Sequence, residues 1–187
     1  MSADHAPRYD ADCALELLKE GNRTYLGGGF RGDISDRRRH ECAEHGQFPY
    51  AVIVTCSDSR VIPELIFSAG IGDLFVIRSA GNTIDGCALG GIEYAVSHLG
   101  CRLIVIMGHT HCGAVNAAIL GRHEAHIEFI TREIHAAIGD EKDPVKACIA
   151  NVRNSLKAVT GDLPDRGDVK FLGAVYDTEN GTVEFLE

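Results

Sequence analysis

The chain has 187 residues, the size of one domain, and its 45% hydrophobic and 24% charged content is that of an ordinary globular protein. A formal charge of −9 argues against a nucleic-acid partner, because phosphate binding relies on clustered Lys and Arg. No apolar run approaches the ~20 residues of a membrane-spanning helix, and Met1-Ser2-Ala3-Asp4-His5 lacks a basic-then-apolar leader pattern, so a cytoplasmic location without membrane contact is expected.

In chain order, Asp10 is placed to cap a helix to about Tyr25, with Leu15 and Leu18 on one face and Gly27-Gly28-Gly29 ending it. This N-terminal helical arm, at about 10–26, can pack on its own domain or reach a partner subunit. Arg37-Arg38-Arg39-His40 follows Asp33 and Asp36 and reads as a solvated helix face. Strands are predicted at 51–55, 74–77 and 103–107, each nearly all apolar, as in strands covered on both faces. Between the second and third, Asp85 caps a helix through His98 that stops at Gly100. Helices follow at about 114–120, 123–138 and 144–159, the last with Pro144 in its first turn. A fourth strand is predicted over 169–176, and an edge strand over 182–186 after the Asn180-Gly181 turn signal. This alternation predicts an α/β fold: a mostly parallel sheet of four strands plus an edge strand, flanked by helices. With no repeat or linker visible, 1–187 reads as a single domain.

Seven cysteines without a secretory leader do not suggest a disulfide framework. Cys13, Cys42, Cys87, Cys101 and Cys148 read as packing residues. The other two leave predicted strands in company. Strand 51–55 runs into Cys56-Ser57-Asp58-Ser59-Arg60, and strand 103–107 runs into Gly108-His109-Thr110-His111-Cys112-Gly113. In an open parallel sheet the carboxyl ends of strands form the ligand crevice, so the two segments can converge. Cys56, His109 and Cys112 would supply two thiolates and an imidazole, a set that suits Zn2+ and leaves its fourth position for water. Arg60 can hold Asp58 ionised and oriented beside that position. Released, Asp58 can become a fourth ligand and close the site. His111 should point to another side than its neighbours, and His123, His126 and His135 should face solvent. A phosphate-binding cysteine loop needs Arg six residues after Cys, where Ile62 and Ala118 stand instead.

Cys-Ser-Asp-Ser-Arg at 56–60 followed by Gly-His-x-x-Cys-Gly at 108–113 resembles the paired signature of the β-carbonic anhydrases. Arg78-Ser79-Ala80-Gly81-Asn82 and Ile92-Glu93-Tyr94-Ala95 are similar to further family segments, and Gln47 matches the family's substrate-binding glutamine. The resemblance spans about residues 10 to 178. It implies zinc on Cys56, His109 and Cys112, the catalytic dyad Asp58 and Arg60, and a substrate pocket of Gln47, Phe75, Ala80, Gly81, Tyr94 and Gly113. It also implies a homodimer or dimer-based tetramer in which a partner lends some pocket residues. Ser79 stands where the family often has Asn. The chain has no Trp, which speaks against the regulatory Trp-Arg-Tyr trio of the bicarbonate-inhibited subgroup.

The implied activity is carbonate dehydratase: reversible hydration of CO2 to bicarbonate and a proton by attack of zinc-bound hydroxide. Two alternatives keep the metal: hydrolysis of carbonyl sulfide or carbon disulfide at the same centre, or a non-catalytic zinc domain with Asp58 as a permanent ligand.

Overall fold

Five strands form one sheet in a computed structural model of the chain, which describes residues 8–122, 124–162 and 167–186. Strands β1 (Ala51–Cys56), β2 (Leu74–Ser79), β3 (Leu103–His109) and β4 (Lys170–Tyr176) run parallel, and β5 (Val183–Leu186) joins β4 antiparallel, in the order β2-β1-β3-β4-β5. The helices are α1 (Ala11–Leu26), α2 (Asp36–His45), α3 (Pro63–Ile66), α4 (Gly86–His98), α5 (Gly113–Ile119), α6 (Glu128–Ile138) and α7 (Pro144–Asp162). This is the α/β fold that the sequence predicts. Asn180-Gly181 reverses the chain as expected, and Asp177 N donates to Thr182 O across the hairpin at 2.8 Å. No described helix is long and apolar enough to cross a membrane.

All six residues of β1 and all seven of β3 are buried, because helices cover both faces of the sheet. On one face Ala51, Ile53, Leu103, Val105 and Met107 pack with Ala14 and Leu18 of α1 and with Phe67. On the other, Val52, Val54, Ile104 and Ile106 pack with Ile92 and Val96 of α4 and Val152 and Val159 of α7. The period-2 alternation of a strand thus feeds two cores at once.

Asp10 caps α1 by accepting from Cys13 N at 2.7 Å, and the helix lies on its own chain's sheet, with Leu18 fully buried. Close approach is possible because Gly21 faces the backbone of Phe67: a β-carbon there would fall on that carbonyl oxygen. Gly21→Ala gains roughly 1 kcal/mol of helix propensity, yet overpacking typically costs ~1–3 kcal/mol and more where nothing can yield. The steric term should win. The variant is expected to lose about 2 kcal/mol net and to melt roughly 4–8 °C lower by calorimetry; an unchanged or raised melting temperature would show that α1 does not bear on the sheet in this way.

Helix α2 contains the helix face read at 37–40, the four-residue α3 was not predicted, and one boundary moves. Helix α2 buries none of its residues, so it carries no apolar period; its signal is Ser35, which caps it by accepting from Arg38 N at 3.2 Å. Arg37 and Arg39 are solvated as expected. Arg38, however, is partly buried and ties α2 to the loop before β2, with Nε donating to Ile71 O at 2.9 Å and Nη2 to Asp73 at 3.1 Å. Helix α3 has four residues, too few for any period. The helix expected from 123 begins at Glu128, after a 3-10 turn over Ala125–Ile127. His123 lies outside the described residues, while His126 and His135 are exposed.

Candidate metal centre

β1 has β2 on one side and β3 on the other, so the chain's path reverses at the carboxyl ends of β1 and β3. A crevice opens at such a switch point. Cys56 ends β1, His109 ends β3, and Cys112 sits in the turn that starts α5. All three are buried, and one donor atom from each lies within 4.8 Å of the others, an arrangement that can hold a metal ion. The two sulfurs are 4.0 Å apart.

His109 is prepared for coordination by its neighbour. Its Nδ1 lies 2.8 Å from the Thr110 carbonyl, which can only accept, so Nδ1 carries the proton and Nε2 keeps a free lone pair. Among the described residues, Nε2 is the buried side-chain nitrogen or oxygen without a hydrogen-bond partner. Thr110 is itself clamped from the β4–β5 hairpin: its N donates to Tyr176 O at 2.9 Å and its Oγ1 accepts from Thr178 N at 2.9 Å.

The thiols are equally informative. A hydrogen bond from Cys112 pulls the Cys56 thiol well below its ordinary value against the opposing effect of burial, and the Gly81 amide, 3.2 Å from Sγ, adds to it. The same bond, with burial and the charge on Cys56, pushes Cys112 up. A cation between the sulfurs would let both ionise. Two thiols, an imidazole nitrogen with a free lone pair and a buried setting fit Zn2+.

Asp58 stands at the rim of this cluster, its Oδ2 3.9 Å from His109 Nε2. Arg60 grips both of its oxygens, through Nε at 2.9 Å and Nη2 at 2.7 Å, while Arg60 N donates to Oδ1 at 3.0 Å. These bonds hold the Asp58 carboxyl well below the usual carboxylate range and raise Arg60. Nη2 of Arg60 also donates to His111 O at 3.0 Å. The loop is pinned from β2 as well, where Arg78 donates to Cys56 O at 3.2 Å and Asp58 O at 2.7 Å. His111 turns outward to Glu179 at 3.0 Å, in line with the expectation that it points away from its neighbours.

The pocket residues divide. Ser79 is in register with Cys56, so the 3-10 turn Ala80–Asn82 that follows it lies against the cluster; Gly113 begins α5 with open space beside its Cα. Gln47 lies against Gly72, ahead of β1 and β2, at the opposite edge of the sheet. Phe75 is in register with Val52 near the start of β2, and its ring meets half-exposed Tyr94 of α4 at 6.3 Å. Within one chain these three stand apart from Cys56, His109 and Cys112. Arg78 was visible in a family-like segment without a role. No local signal marks Asn151 and Ser155, which reach the Ala80–Asn82 turn from α7.

Known proteins share this frame. The family model for carbonic anhydrase matches residues 51–183. Carbonic anhydrase 2 of Mycobacterium tuberculosis is 46% identical over 113 residues, covering 60% of this chain and 55% of that one, so the match spans little more than half that relative's length. The carbonic anhydrase of Synechocystis sp. is 42% identical, covering 90% of this chain and 70% of its own. Among solved structures, the β-carbonic anhydrase CcaA aligns with a TM-score of 0.68 at 29% identity, over 92% of this chain and 86% of that one. The β-carbonic anhydrase CafA of Aspergillus fumigatus aligns at 0.66 and 29%, over 81% and 86%. With its sheet order, its Cys-His-Cys cluster and these likenesses together, the chain belongs to the carbonic anhydrase family, in its β class.

Proposed function

We propose that this chain catalyses reversible hydration of CO2 to bicarbonate and a proton, with Zn2+ held by Cys56, His109 and Cys112. The observation that carries this reading is the carboxylate that stays out of the donor set. Asp58 is near enough to matter, yet Arg60 holds both its oxygens, so three protein donors face the centre rather than four. Three donors mark a catalytic zinc site; four would mark a structural one.

Zn2+ bound there supplies Lewis acidity, which makes water acidic enough to act as a nucleophile near neutral pH. The rest falls to side chains. Asp58, ionised by Arg60, accepts a hydrogen bond from the reacting water and turns its lone pair toward substrate. Ala80 and Gly113 offer a small neutral wall, which suits an uncharged linear molecule that the chain's −9 charge does not repel. Asp58 is partly exposed and Arg60 half-exposed, so protons released there reach bulk water directly. Gln47, Phe75 and Tyr94 complete the pocket from a second copy of the chain, acting as a homodimer or a tetramer of such dimers. The separation of these residues from their own chain's cluster, and the uncovered edge of β2, support that assembly. The cytoplasm remains the location that fits seven cysteines outside disulfides.

Stopped-flow CO2 hydration on protein of known zinc content tests the proposal. Fast hydration is expected, lost on chelation and lowered about a hundredfold or more in Asp58→Ala. Absence of hydration with zinc fully loaded would refute it, and sulfide release from carbonyl sulfide in the same samples would move the assignment to the sulfur analogues.

A further inference from the structure

The turn that follows β2 is held in an unfavourable conformation by buried polar groups that the proposed reaction does not use. Gly81 and Asn82 both adopt left-handed backbone angles, φ +67° and φ +48°. For Asn82 this carries a cost, and such conformations persist only where the surroundings over-determine them. A β-carbon on Gly81 would lie 2.6 Å from Ile134 Cδ1, so the turn is also pressed against α6.

The surroundings that determine it come from α7. Asn151, 2% exposed, donates from Nδ2 to Gly81 O at 2.8 Å. One helical turn later Ser155, 4% exposed, donates to Asn82 O at 3.1 Å and lies 3.4 Å from Asn82 Nδ2. Two successive carbonyls are thus fixed by two side chains spaced to lie on one helix face. On its other side the turn directs the Gly81 amide at Cys56 Sγ, 3.2 Å away. An amide aimed at a thiolate withdraws electron density from sulfur and so tunes any metal it binds.

We infer that Asn151, seconded by Ser155, is a positioning residue: it fixes the 81–82 turn so that the Gly81 amide is aimed at Cys56 and sets the electron density this sulfur offers to the metal. The inference rests on the proposed metal site, and the test separates the two. The zinc is replaced by Co2+, whose thiolate-to-metal charge-transfer band reports directly on sulfur electron density. Asn151→Leu keeps the approximate size of the side chain and removes its donor; Ser155→Ala removes the second donor with little change of volume. In both variants the band is expected at longer wavelength than in the wild type, with zinc affinity by chelator competition lowered about tenfold or more for Asn151→Leu. A purely structural role would lower the melting temperature and leave the band where it was. A band at the wild-type wavelength in a folded variant overturns the inference, and Ser155→Ala decides by the same criterion if Asn151→Leu does not fold. A wild-type protein with no cobalt–thiolate band at all overturns the metal site itself.

Discussion

A His109→Leu variant is expected to lose bound zinc while its metal-free form melts no lower than the metal-free wild type. Structural zinc contributes about 10–16 kcal/mol in small zinc-binding peptides; divided over their four ligands, that is roughly 2.5–4 kcal/mol each, or on the order of a hundredfold in affinity. Without metal the balance differs. His109 is 1% exposed, and its Nε2 has no hydrogen-bond partner. Such a buried group costs about 1–3 kcal/mol, which leucine removes. Against this stands the loss of the Nδ1 bond to Thr110 O, a carbonyl that also lies 3.4 Å from Thr178 Oγ1 and so keeps a donor. The two terms are of similar size and opposite sign. Calorimetry with and without a chelator, beside metal analysis, checks both halves. A metal-free variant several degrees less stable would mean that His109 serves the fold first.

Arg60→Met is expected to retain zinc and lose hydration activity by about a hundredfold, the scale of loss when a reacting group is misplaced by an ångström. Arg60 is the only side chain among the described residues shown gripping both Asp58 oxygens, and it ties that pair to His111 O on the other loop. Without the guanidinium, the Asp58 carboxylate lies 3.9 Å from His109 Nε2 and keeps only the residue-60 amide, on Oδ1, of the three bonds that Arg60 makes to it. Because Arg60 then acts through Asp58, its effect should not add to that of Asp58→Ala. The double variant is expected to be no slower than Asp58→Ala alone, measured by stopped flow at equal zinc content. Wild-type turnover in Arg60→Met would show that Asp58 needs no restraint; full additivity in the double variant would show that Arg60 acts on substrate independently.

Much of this molecule is written locally. Strands β1 and β3 are legible because they are buried on both faces and so are apolar without interruption. Asp10 and Asp85 announce α1 and α4 because a side-chain acceptor must satisfy the first free amides, which they do at 2.7 Å each. Helix α2 buries nothing, so it has no apolar period and only its charge run and its cap mark it. The candidate centre was legible for a related reason. Cys56 and His109 directly end buried strands, and the carboxyl edge of a parallel sheet is where such residues meet.

What sequence by itself determined, then, is the set of elements and the residue types placed at their ends, since periodicity, caps and turn residues act over a few positions. Only the tertiary structure decided which of those ends come together and which groups hold them there. It brought the two sulfurs to 4.0 Å, laid α1 on its own sheet through Gly21, and kept Phe75 and Tyr94 away from the chain's own cluster. It also carried Asn151 and Ser155 from α7 to the turn beside Cys56. These contacts join segments far apart along the chain, and their geometry is set by strand order and helix packing, to which no short run of residues refers.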